Sequence, residues 1–184
     1  MQIKKLEGRD HCVVPVVMLQ VGTFNGSNGP VTYLANDLEQ SAELWNGKPL
    51  VVYHPVMYGQ SVGAGDPDVM NRQKIGTVFN TKFDNGKLKA EAWIDADRAW
   101  QVDVRVMQAI QNGNKLEVST GLFLDYEQHN GSVIARNYRP DHLAILPDKV
   151  GACSLKDGCG LLRNEYQVIP CDEEPLEVLT MKFA

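Results

Sequence analysis

The chain has 184 residues, with 18 basic and 23 acidic side chains and a net charge of −5. That length makes one domain, or one domain and a short extension, and a chain of this size can bury roughly 70 % of its unfolded surface without staples. The acidic balance argues against nonspecific binding to nucleic acid or to anionic membranes, which need a basic face, and no apolar run reaches the ~20 residues of a membrane span. At the N-terminus two lysines are followed by Glu7, Arg9, Asp10 and His11 before any apolar run, unlike a secretory signal. Cys12, Cys153, Cys159 and Cys171 form no CxxC pair and make a poor disulfide framework, so reduced thiols are expected.

In chain order, His11 to Val21 is β-branched and apolar and predicts a strand, with Pro15 marking an edge or a bulge. Gly22 to Pro30 predicts a turn-rich loop. Val31 to Leu44 predicts a short helix capped by Asn36 or Asp37, and Pro49 to Tyr53 a compact strand. Gly59 to Arg72 predicts a long loop. Lys74 to Phe83 and Lys87 to Ile94 predict a hairpin closed by Asp84-Asn85-Gly86. Asp95 to Gln111 predicts a helix capped by Asp95, with Ala99, Val102, Val106 and Ile110 at helical spacing. Lys115 to Tyr126, Ser132 to Tyr138 and Asp141 to Leu146 predict strands, with a turn at Asn130-Gly131. The total is about seven strands and two helices, a mostly β (α+β) chain.

Four histidines are few enough to weigh singly. His11 and His129 are expected to face solvent. His54 ends an apolar strand, and Pro55 holds it extended and aims its ring. His142 lies inside a strand. A lone histidine in a strand is most often structural, so neither points to chemistry by itself. Ser119 shares a strand face with Gly121 and Phe123, opposite Val118, Thr120 and Leu122, and the glycine opens space beside the hydroxyl. A serine nucleophile needs a base, and the base needs a group that sets its tautomer. Ser119, His54 and one of Asp141 or His142 supply those residue types on separate strands.

Tyr53-His54-Pro55, Val118-Ser119-Thr120-Gly121 and His142-Leu143-Ala144-Ile145-Leu146 resemble, in order, the three motifs of phage prohead (capsid maturation) proteases, a group related to the herpesvirus assemblins. Ser119 follows His54 by 65 residues and His142 follows Ser119 by 23, which suits that family. The resemblance implies a closed or partly closed antiparallel β-barrel with a few flanking helices, over residues 1–164. It implies a serine endopeptidase in which Ser119 is the nucleophile, His54 the general base and His142 the orienting third member. Asp141 competes for the third role, because strict strand alternation lets only one of the two neighbours face the site. Asp148-Lys149-Val150-Gly151 resembles the family's basic, glycine-containing loop, so the backbone N–H groups of Lys149 and Val150 would form the oxyanion hole. Here a lysine stands where the family has an arginine. No cofactor or metal is implied.

The implied substrates are scaffold and major capsid proteins, and the chain itself, cleaved inside the assembling procapsid in the host cytoplasm. A homodimer is the family's common state. No nucleic acid or membrane partner is expected. Residues 165–184 carry the acidic run Asp172-Glu173-Glu174 and are expected to be either a scaffold junction or a solvated tail. The loop from Gly59 to Arg72, which follows His54 closely, is expected to cover the substrate groove. Two alternatives stand beside this expectation. One is a zinc site from Cys153, Cys159, Cys171 and a histidine, with poor ligand spacing. The other is an inactive relative serving as a structural or scaffolding component of the procapsid.

Overall fold

The computed structural model describes residues 1–163; the acidic stretch expected as a tail lies outside the described residues. Alternating apolar positions fold most of the chain into strands. β1 (Gln2–Leu6), β2 (Arg9–Gln20), β3 (Gly22–Gly26) and β4 (Gly29–Tyr33) come first, followed by α1 (Ala35–Ser41), a 3₁₀ turn (Ala42–Trp45) and β5 (Pro49–Val52). A small hairpin of β6 (Val56–Met57) and β7 (Gln60–Ser61) leads to α2 (Pro67–Gln73). β8 (Lys74–Asp84) and β9 (Lys87–Asp95) precede α3 (Ala96–Val102) and α4 (Val104–Gln111). β10 (Glu117–His129), β11 (Ser132–Leu146) and β12 (Gly160–Leu161) complete the order.

The main sheet runs β1-β2-β9-β8-β5-β11-β4-β3, with β10 on β11 and β12 on β2. The fold is mostly β, as expected, but the sheet is mixed and, among the described residues, does not close into a barrel. β11 runs parallel to both β5 and β4, because each precedes it through a crossover rather than a hairpin. From β2 toward β10 only the two-residue β12 and a single bridge, Leu116 to Leu161, carry the pairing.

Several local expectations change for physical reasons. Gly22 to Pro30 forms the hairpin β3–β4 rather than a loop. The helix predicted from Asp95 is capped by that residue, which accepts from the Arg98 N–H at 3.1 Å. It breaks at Asp103, whose extended backbone (φ −157°) starts a second helix and whose side chain caps it. The second half of the Gly59–Arg72 loop is helical, with Asp66 capping and Pro67 at its first position. Ser132–Tyr138 and Asp141–Leu146 join into one 15-residue strand. His11 is buried, not solvent-facing, because β1 and β9 flank it. His129 is exposed.

Cys153 and Cys159 form a disulfide, which overturns the expectation of reduced thiols for these two. A tight turn brings their Cα atoms to 5.6 Å, with the Ser154 carbonyl accepting from the N–H groups of Asp157, Gly158 and Cys159. The bridge also uses two of the three cysteines that a zinc site would need. No helix of the described residues is long and apolar enough to cross a membrane.

Strand alternation sets two apolar layers. Leu50, Val52, Leu143, Ile145 and Val118 enter the main core with Trp45, Ile75 and Ile94. On the other face Val51, Ala144 and Leu146 pack under Ala64 and Val69, from the segment that follows His54. The centre of β11 is thus covered on both sides. Leu143→Ala, at a fully buried site, should cost about 2–5 kcal/mol. Urea unfolding measures this, and a loss below about 1 kcal/mol would show that β11 is not the central strand described.

Candidate functional site

Ser119, His54 and His142, expected from separate motifs, line one cleft of about 660 Å³ with Asp141, Lys149 and Val150. Three neighbouring strands bring them there. Ser119 on β10 pairs with Ala144 on β11, and Ala144 pairs with Val51 on β5. Ser119 therefore projects from the face covered by the second apolar layer. The chain leaves β5 through Tyr53, whose N–H donates to the Ile145 carbonyl at 3.0 Å and whose φ is +62°. A left-handed conformation at a bulky residue costs about 1–3 kcal/mol, and it turns the chain sharply just before His54.

His54 and His142 meet directly. His54 Nδ1 lies 2.7 Å from His142 Nε2, and His142 Nδ1 lies 2.6 Å from Asp141 Oδ2. Asp141 Oδ2 also accepts the N–H of Ala64 at 2.8 Å. Gly121 stands opposite His142, and a Cβ there would collide with the imidazole, so the glycine is the seat of that ring. Gly63 similarly leaves room for the Asp141 carboxylate, which a Cβ would approach to 3.2 Å.

Strict alternation was expected to allow only one of Asp141 and His142 at the site. That expectation fails. Gly121 pairs with His142 but Leu122 pairs with Pro140, so Asp141 is the extra residue of a β-bulge. A bulge breaks the two-residue period and re-aims its side chain. Asp141 thereby reaches the ring of its own neighbour and becomes a further member of the chain of hydrogen bonds, not a rival to His142.

The bonds set the proton positions. An ionised carboxylate only accepts, so His142 carries its proton on Nδ1. With His142 neutral, its Nε2 accepts from His54 Nδ1, and Nε2 of His54 is left with a free lone pair. Loss of hydration around the His54 ring, then the cost of placing a second positive charge beside the His142 ring and near the Lys149 ammonium, push its pKa down to about 4. His54 keeps an exposed edge, which moderates the first of these causes. It is neutral through the pH range of most cytosols and able to accept a proton.

The loop after β11 borders the same cleft. Its far end is held by Glu117, two residues before Ser119, whose carboxylate accepts the N–H groups of Gly151 at 3.3 Å and Leu155 at 3.1 Å. Gly151 lies against the Val118 carbonyl so closely that no Cβ fits. Its near end is held by Asp148, which accepts the Tyr53 hydroxyl at 2.6 Å and Arg105 Nη1 at 2.9 Å. The N–H groups of Lys149 and Val150 are not taken by other described residues. Glu117 was not singled out in the sequence, although strand alternation puts it on Ser119's face; Asp148 stood out only as the first residue of the loop motif, and Arg105 carried no local signal.

Gly121→Ala should drive the His142 ring from its seat, and Asp141→Asn should remove its acceptor. A far-downfield imidazole N–H resonance is expected in the native protein and should disappear in both variants. Its persistence in Asp141→Asn would contradict the assigned bond.

No protein-family model matches the sequence, and no curated protein matches it. Among solved structures the chain is similar to that of the bacteriophage T4 capsid assembly protease, gp21, with a TM-score of 0.53 and 12 % identity, covering 79 % of this chain and 90 % of that one. At that identity the likeness is one of fold alone: the mixed, mostly β architecture that carries the Ser119 cleft resembles the fold of that protein.

Proposed function

We propose that this chain is a serine endopeptidase of capsid maturation, acting through Ser119, His54, His142 and Asp141. The observation that carries this is the chain of short hydrogen bonds from Asp141 through His142 to His54, in the cleft that also holds Ser119. His54 Nε2 takes the proton of the Ser119 hydroxyl as Oγ attacks the peptide carbonyl. The oxygen of the tetrahedral intermediate accepts from the Lys149 and Val150 N–H groups. Collapse breaks the C–N bond, and His54 returns the proton to the departing amine, leaving the acyl-enzyme. Water then attacks with His54 again as base, and Ser119 is released.

Asp141 changes the expected character of the third member. A lone neutral imidazole stabilises the forming imidazolium of His54 poorly. With a carboxylate behind it holding the Nδ1 proton, His142 is polarised, and its Nε2 accepts more strongly from His54 Nδ1 as positive charge develops at His54.

The fold's likeness to a capsid assembly protease, together with the motif resemblance, supports scaffold and capsid proteins as substrates and the interior of the procapsid as the place of action. On the same grounds we take residues 1–164 as the protease unit, the remainder as a scaffold junction or processed end, and a homodimer as the assembly state.

A fluorophosphonate probe should label the wild-type protein, and Ser119→Ala should abolish labelling and lower kcat by about 10⁴- to 10⁶-fold. Labelling that survives Ser119→Ala, or none in the wild type, would assign the fold to a structural role. Because the His54 pKa is lowered, the base stays unprotonated to below the ordinary histidine value, so the acid limb of kcat/KM should fall below pH ~6.5. A limb centred at or above pH ~7 would contradict that environment.

A further inference from the structure

Arg105 has no part in the chemistry above, and neither it, Asp103 nor Asp148 lines the cleft. Yet its guanidinium is spoken for at every edge. Nε and Nη2 fork onto Asp103 Oδ1 and Oδ2 at 2.9 and 2.6 Å. Nη1 donates to Asp148 Oδ2 at 2.9 Å, and Nη2 donates to the Tyr53 hydroxyl oxygen at 2.8 Å. The Tyr53 hydroxyl donates in turn to Asp148 Oδ1 at 2.6 Å, closing the ring. Asp103 is itself fixed, since it caps α4 by accepting the Arg105 N–H at 3.0 Å.

The partners are adjacent to the two groups whose separation matters. Tyr53 is bonded to His54, and Asp148 is bonded to Lys149. The Lys149 ammonium lies 5.0 Å over the Tyr53 ring, a second contact between the same segments. At its other end the loop is anchored to Glu117, on the strand of Ser119. Nucleophile strand, oxyanion loop and base segment are therefore joined in a circuit, in which Arg105 closes the side between loop and base.

Such a cluster at the surface adds little to global stability: exposed ion pairs contribute about 0–1 kcal/mol. A short loop between Pro147 and Gly151 needs no more than that to be held in one place. Misplacement of a catalytic group by about 1 Å costs about 100-fold in rate. Lysine cannot replace arginine here, because one ammonium cannot span a carboxylate fork, a second carboxylate and a phenol.

We infer that Arg105 is a positioning residue: its guanidinium ties the segment carrying His54 to the loop carrying the Lys149 and Val150 N–H groups. The catalytic half of this inference rests on the endopeptidase proposed above; the tether does not, so the test has two readouts. Backbone amide order parameters of Asp148, Lys149 and Val150 are measured with peptide kinetics in wild type, Arg105→Ala, Arg105→Lys and Tyr53→Phe. In Arg105→Ala, the order parameters there should fall from about 0.85 to below about 0.6, the melting temperature should move by no more than about 2–4 °C, and kcat should fall about 10- to 100-fold with KM within about 3-fold. Arg105→Lys should stay close to Arg105→Ala. Added guanidinium ion at low, non-denaturing concentration should restore part of the Arg105→Ala rate only. Tyr53→Phe, which keeps the ring beneath Lys149, should move order parameters and kcat in the same direction.

Unchanged order parameters at residues 148–150 in both Arg105→Ala and Tyr53→Phe overturn the tether. Lower order parameters with kcat within about 2-fold of wild type overturn the positioning role. An inactive wild type in which Arg105→Ala still lowers the order parameters overturns the endopeptidase and leaves the tether standing.

Discussion

A carboxylate can accept a hydrogen bond but not donate one, and everything at this site follows from where Asp141 puts that constraint. Its contact with His142 Nδ1 places the proton there. The contact between His142 Nε2 and His54 Nδ1 passes the same polarity one ring further. The free lone pair is then left on Nε2 of His54, a residue that lines the same cleft as Ser119. With the opposite polarity along the same contacts, Nε2 of His54 would carry a proton and could not accept one.

The sheet supplies that order through departures from regularity. A bulge adds Asp141 to β11 beside His142, instead of turning it to the far side. Gly121 vacates the space for the imidazole, and Tyr53 takes a left-handed conformation that ends β5 and starts the turn into His54. Each is unfavourable for a strand considered alone. They are held because β11 is buried between two apolar layers, with Leu143 and Ile145 on one side and Ala144 and Leu146 on the other. The packing energy of the strand offsets the local strain of the site.

Much of this was legible in the residues. The Asp84-Asn85-Gly86 hairpin, the cap at Asp95 and the seat of Ser119 opposite Val118 follow from turn chemistry and the two-residue period. The motifs around His54, Ser119 and His142 picked out three residues that share one cleft. What was not legible depends on breaks in those same rules. Alternation set Asp141 against His142, because a bulge leaves no mark in a single sequence. The helix from Asp95 has a continuous apolar stripe, so its interruption at Asp103 was invisible, and with it the cap that aims Arg105. Arg105 meets Tyr53 and Asp148 across 52 and 43 residues, with no short-range pattern to join them. The pairing of Cys153 with Cys159 was missed because compartment arguments say nothing of a local turn that sets two Cα atoms 5.6 Å apart.

The central claim is that this constellation cleaves peptide bonds in an assembling capsid. The most direct measurement is co-expression of the chain with its neighbouring scaffold and major capsid proteins, as wild type and as Ser119→Ala, followed by intact-mass analysis of the assembled particles. Trimmed precursors with the wild type and full-length ones with Ser119→Ala are the predicted result. Equal trimming with both proteins would contradict the account.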